Sequence, residues 1–175
     1  MSYLNNIVNN FLNKGKEVES RFARDLVQKM GGDVMVSTKY DDIKKHIDLY
    51  WRPKDMNKWC SFDVKGQKKT NRSDTNYSTT NTWLEIKNVN GGIGSLLGEE
   101  HYLAFEVTDR WLIARRKVLL EKLKENIIDK TIYNINPNAD FKMYQRKERK
   151  DLIIRVPLTF IENFSSLIIP KNIDI

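Results

Sequence analysis

Three carboxylates and one ammonium sit where a folding pattern alone would favour apolar side chains. In His46-Ile47-Asp48-Leu49-Tyr50-Trp51, strand alternation sends Ile47 and Leu49 to one face and leaves Asp48 on the other. Aspartate is a poor strand former. In Phe62-Asp63-Val64-Lys65-Gly66 the same arithmetic sets Asp63 beside Lys65, with Phe62 and Val64 opposite, so the pair can address one site. If these two strands are antiparallel neighbours, Asp48 and Asp63 come close enough to share a cation. On a helix starting near Lys16, Glu17 lines up with Arg21, Arg24 and Gln28 and faces solvent. Glu19 lines up with Ala23, Leu26 and Met30 at the border of the buried stripe, where an ionised group needs a partner or a metal.

The elements that must hold these groups are legible as patterns. From Lys16 to Met30 the residues Val18, Phe22, Ala23, Leu26, Val27 and Met30 recur at helical steps, and Gly31-Gly32 supplies a stop. Val34 to Thr38, Ile43 to Trp51 and Trp59 to Lys65 read as a meander of short strands. Gly66 to Asn81 reads as a long polar loop, followed by strands at Trp83 to Lys87, His101 to Val107 and Trp111 to Ala114. Val118, Leu119, Leu120, Leu123 and Ile127 stripe a further helix, and Leu152 to Val156 reads as a strand with a short helix after Pro157. This succession predicts α/β or α+β architecture.

Composition narrows the classes. The 175 residues, 40% hydrophobic with four Trp, seven Tyr and seven Phe, can fill one core, and a single domain spanning 1–175 is expected, with its core at about 15–125 and a C-terminal extension at 126–175. No apolar run reaches the roughly 18 to 20 residues that cross a bilayer, so a cytoplasmic protein is expected. The lone Cys60 forms neither an internal disulfide nor a Cys-rich zinc site and is read as packing. Thirty Lys and Arg against 23 Asp and Glu give a net charge of +7, which favours phosphate-bearing partners. Gly91, Gly92 and Gly94 lack the Lys-Ser/Thr of a P-loop, so nucleotide hydrolysis gains little support.

In this order and context, Glu19, Asp48 and Asp63-Val64-Lys65 resemble the PD-(D/E)xK nuclease superfamily, whose members combine a helix glutamate, a strand aspartate and a (D/E)xK strand. Thr82 to Val89 and Glu99 to Glu106 are similar to small phage-encoded endonucleases and Holliday-junction-resolvase-like proteins of that superfamily. The resemblance covers roughly Gly15 to Leu123. The chain departs from the commoner pattern in having Asp63 where glutamate is frequent and Ile47, not proline, before Asp48. It implies a restriction-endonuclease-like core, a central mixed sheet flanked by helices. It also implies a Mg²⁺- or Mn²⁺-dependent deoxyribonuclease, acting on branched or structured DNA, in the host-cell cytoplasm if phage-encoded. Cutting both strands of a symmetric junction would require a homodimer.

On that resemblance Asp48 and Asp63 would hold the metal, with the Val64 carbonyl completing the inner shell. Glu19 would hold a second cation or orient waters. Lys65 would position the attacking water and stabilise developing charge. Gln67 is an accessory candidate if the strand runs past Gly66. Lys68, Lys69 and Arg72, with Arg115 and Arg116 or the basic run 142–150, would hold the nucleic-acid backbone.

Other readings stand beside these. Asp63 and Lys65 could be an ordinary strand pair, Asp48 a turn cap near Lys44 or Lys45, and Glu19 a partner of Arg21. A second register takes Asp63 as the middle aspartate and Glu85-Ile86-Lys87 as the final tripeptide. A different class of function is a non-catalytic nucleic-acid-binding module.

Overall fold

The computed structural model describes residues 2–13, 16–71 and 73–172. Along the chain run α1 (Ser2–Leu12), α2 (Glu17–Met30), β1 (Asp33–Val36), a π-helical turn (Asp41–Lys45), β2 (Leu49–Arg52), β3 (Cys60–Lys65) and β4 (Asn81–Lys87). After a 3₁₀ turn (Ser95–Leu97) follow β5 (Tyr102–Glu106), β6 (Arg110–Arg115), α3 (Arg116–Asn126), β7 (Ile132–Tyr133), β8 (Met143–Tyr144), β9 (Leu152–Pro157), α4 (Leu158–Asn163) and β10 (Ser165–Pro170). The strands form two mixed sheets, β1-β2-β3-β5-β6-β10 and β4-β9-β8-β7, so the protein is α/β as expected. The chain divides into two compact units. One comprises the stretch up to Gly66, Glu99–Ile113 and the stretch from Ser166; the other comprises Gln67–Gly98 and Ala114–Ser165. No described helix is long and apolar enough to cross a membrane.

In the first unit, alternation sorts the strands into two faces. Leu49 and Trp51, Phe62 and Val64, Ala104, Trp111 and Ile113, and Ile169 join the Phe22, Ala23 and Leu26 stripe of α2 in one core. Phe22 anchors it, with ring centroids 5.5 Å from Phe62 and 5.0 Å from Trp111. The meander holds: β1 pairs antiparallel with β2 and β2 with β3, and β3 then pairs parallel with β5. Two glycines end α2. The Gly31 N–H returns to the Val27 carbonyl at 2.8 Å, and Gly32, at φ +85°, lies where a Cβ would stand 2.2 Å from the Arg52 carbonyl oxygen.

The structure corrects the sequence reading in two places. The fold begins before Lys16, because Ile7 and Phe11, four apart on the asparagine-rich α1, bury against the same core. The expected strand from Ile43 to Trp51 starts only at Leu49. Upstream, Asp41 donates its N–H to Thr38 Oγ1 and accepts from that hydroxyl in return, and pairs with Lys45 one turn on, so local polar bonds hold the chain in the π-helical turn. His46 follows in the left-handed region at φ 57°.

Beneath α2 lies a buried carboxylate. Asp25 Oδ2 accepts the Trp111 Nε1–H at 2.8 Å and Oδ1 accepts the Asn172 amide at 2.6 Å. Trp111→Phe strands one of those acceptors and leaves a partial cavity, and is expected to cost about 2 to 4 kcal/mol. Urea denaturation measures it; a loss below about 0.5 kcal/mol would show that the bond contributes nothing.

Candidate active site

Asp48 precedes β2 and is held on both sides: its N–H donates to the Phe62 carbonyl at 2.8 Å and its carbonyl accepts the Ser37 N–H at 3.1 Å. Because Leu49 is itself the register partner of Phe62, the ladder is irregular at Asp48. The Asp48 carboxylate then takes over as acceptor, with Oδ2 receiving the Val64 N–H at 2.8 Å. The side chain is thus fixed against the strand that carries Asp63.

Asp63 and Lys65 share the face of β3 turned away from the Phe62 and Val64 core, and Lys65 Nζ lies 2.7 Å from Asp63 Oδ2. That contact has the distance of an ion pair but not the angles of a good hydrogen bond, so it is a close charge contact. Both aspartates are buried, Asp48 8% exposed and Asp63 4%. Lys16, immediately before α2, closes the other side: its ammonium lies 3.1 Å from Asp48 Oδ1 and 2.7 Å from Asp42 Oδ2.

The electrostatics follow from this burial. Asp48 is pushed up to about 6, first by removal from water and then by the Asp63 charge, against the opposing pull of the Val64 N–H, Lys16 and Lys65. Burial, followed by the Asp48 and Asp42 charges, also raises Glu19 against its own backbone hydrogen bond and Lys16. Burial pulls Lys16 down, but its bonds and charge contacts with Asp42 and Asp48 outweigh this and leave it raised.

Glu19 is half-buried on α2 and electrostatically coupled to Asp48. The approach of its helix end to the strand is set by Gly66, where a Cβ would stand 3.1 Å from Val18 Cγ2. Among the described residues no three His, Cys, Asp or Glu side chains are grouped so as to hold a metal ion. Two adjacent carboxylates remain. Their hard oxygen donors suit Mg²⁺, which is commonly held by one or two carboxylates and keeps several waters, and each carboxylate has an ammonium group against it.

The simpler readings fare unevenly. Asp48 does cap backbone, but its cation is Lys16, not Lys44 or Lys45. Arg21 turns from Glu19 to the buried Glu106, which it grips through two nitrogens and which also accepts from Lys171 at 3.0 Å. His101 Nδ1 accepts the Ser61 N–H at 3.1 Å and lies 2.8 Å from Ser61 Oγ, pinning β3 to the start of β5.

Glu85 and Lys87 lie on β4, in the other sheet and the other unit. Gln67 follows the end of β3 and belongs to that second unit, so the strand does not carry it alongside Lys65. Lys68, Lys69 and Arg115 are exposed, Arg116 is half-buried with a bond to the Leu96 carbonyl at 3.4 Å, and Arg72 lies outside the described residues. The first unit carries 14 Lys and Arg against 14 Asp and Glu, the second 16 against 9, so the whole +7 belongs to the second unit.

Sequence reasoning missed Lys16 and Asp42. A signal existed for Lys16, because a lysine occupies the N-cap of α2 where Ser, Thr, Asp or Asn would bond the first turn, and it makes no capping bond.

Comparison of the chain with protein-family models, with curated proteins and with solved structures finds no match in any of the three.

The raised Asp48 acid gives a pH dependence of defined sign. Below about pH 4 folded and unfolded chains both hold the proton; between there and about pH 6 only the folded chain does, so stability falls as pH rises, and above it the full penalty applies. Asp48→Asn keeps an acceptor for the Val64 N–H and should be more stable than wild type by on the order of 1–3 kcal/mol at pH 7.5, the gain shrinking toward pH 4. Paired urea titrations across that range check it. A variant less stable at every pH would refute this account of the charge.

Proposed function

We propose that the protein is a metal-dependent nuclease that hydrolyses DNA phosphodiester bonds, with a restriction-endonuclease-like core and branched or structured DNA as substrate. The observation that carries this reading is the pair of buried carboxylates, Asp48 and Asp63, with the Lys65 ammonium 2.7 Å from one of them. Two like charges set together cost stability, and functional sites are where such arrangements concentrate.

Asp48 and Asp63 would hold Mg²⁺ or Mn²⁺, which when bound lowers the pKa of its water and polarises a phosphoryl oxygen. Asp48 arrives oriented, because the Val64 N–H holds one oxygen and leaves the other turned to a cation. Lys65, carried two residues along the rigid strand from Asp63, offers a fixed positive charge to the pentacovalent phosphate and orients the attacking water. Glu19, whose burial favours the protonated acid, can take or return a proton at its carboxylate near the site.

The phosphate backbone would be held by the second unit, which carries all the net positive charge, through Lys68, Lys69, Arg72, Arg115 and Arg116. A homodimer would supply the two sites that a symmetric junction needs.

A second reading, a nucleic-acid-binding module without catalysis, is favoured by the pairing of both aspartates with lysines, which neutralises them without a metal. Labelled linear, nicked and four-way DNA incubated with Mg²⁺ or EDTA separates the two. Cleavage in Mg²⁺ alone is expected, and Asp63→Asn or Lys65→Ala should lower it by ~10²-fold or more. Binding without cleavage under Mg²⁺ and Mn²⁺ alike would select the module. On either reading, Lys68→Ala with Lys69→Ala should weaken DNA binding and flatten the plot of log affinity against log salt by about 0.9 per lost phosphate contact. An unchanged slope would remove these lysines from the interface.

A further inference from the structure

We infer that Lys16 is a built-in counter-cation, an ammonium that occupies the Asp48 carboxylate in the metal-free protein and must withdraw to Asp42 before a divalent ion can bind. The inference rests on the reading of Asp48 and Asp63 as metal ligands.

Three observations carry it. Lys16 is badly placed for its helix: it stands at the N-cap of α2, makes no capping bond, and sets a positive charge at the end where the helix dipole favours a negative one. Its placement is explained instead by the two carboxylates it joins, Asp42 on the π-helical turn and Asp48 before β2, at 2.7 and 3.1 Å. Its side chain is only 17% exposed, so most of the lysine is drawn in from solvent alongside these two contacts.

The geometry makes Lys16 and a divalent ion rivals. A Mg²⁺ on Asp48 Oδ1 would stand about 2.0–2.1 Å from that oxygen, whereas the ammonium stands 3.1 Å from it. Two cations on one carboxylate oxygen in a poorly hydrated site repel strongly. The lysine has somewhere to go, because Asp42 is the nearer of its two partners and is more exposed, with side-chain exposure 38% against 11% for Asp48. A short swing of a four-carbon stem therefore frees Asp48 without stranding the ammonium. Lys65 differs: it pairs with Asp63 two positions along its own strand.

Two variants of the full chain should then shift metal affinity in opposite directions. Lys16→Met removes the rival and should tighten Mn²⁺ binding by ~10-fold, read from the electron paramagnetic resonance signal of free Mn²⁺, with circular dichroism to confirm folding. Asp42→Asn removes the resting place, confines the ammonium to Asp48, and should weaken Mn²⁺ binding several-fold. A merely structural lysine would not produce this opposition. If wild type binds Mn²⁺ through Asp48, as loss of binding in Asp48→Asn would show, but Lys16→Met binds no more tightly, the counter-cation role is overturned and the nuclease reading stands. If Lys16→Met does not fold, unchanged or tighter binding by Asp42→Asn overturns the role on its own. If neither wild type nor Lys16→Met binds Mn²⁺, or binding survives in Asp48→Asn, both inferences fall.

Discussion

Two carboxylates of like charge cannot be withdrawn from water side by side unless something compensates them, and in this protein three groups do so. Asp48 receives the Val64 N–H and the Lys16 ammonium, while Asp63 has the Lys65 ammonium against it. The compensation is incomplete, since Asp48 still holds its proton more tightly than an exposed aspartate would. An arrangement that remains costly after such provision gains nothing for the fold that an apolar pair would not supply more cheaply. That residual cost is the physical basis for treating this end of the sheet as a place for chemistry.

The scaffold around the pair is correspondingly firm. The stripe of α2 packs on one face of the six-stranded sheet through Phe22, Phe62 and Trp111, and alternation along β3 delivers Asp63 and Lys65 to the other face. Polar struts fix the same elements: Arg21 ties α2 to Glu106 on β5, Asp25 ties it to Trp111 on β6, and Ser61 ties β3 to His101. The carboxylate pair is therefore carried beside elements that these contacts tie to one another.

Charge is divided with equal clarity. The unit that holds the carboxylate pair is neutral, and the unit formed by Gln67–Gly98 and Ala114–Ser165 carries the whole positive excess. A reaction on a polyanion has two electrostatic needs, local charge control at the scissile phosphate and a broad positive surface for the backbone. The nuclease proposed above would meet them with different segments of the chain.

The amino-acid order by itself determined the pieces. The helix to Met30, the meander of β1 to β3, the sharing of one face by Asp63 and Lys65 and the border position of Glu19 are short-range consequences of periodicities of 3.6 and 2. Periodicity failed between Asp41 and Asp48, where side chains bonding to nearby backbone outweighed strand propensity, and at α1, where asparagines masked two buried apolar residues. What only the tertiary structure decided was partnership: that Asp48 meets Val64 and Lys16, that Arg21 belongs to Glu106, and that Glu85 lies on another sheet from Asp63. Those are contacts between residues remote in the chain, chosen by strand register and helix packing, and no local pattern encodes which distant charge a carboxylate will face.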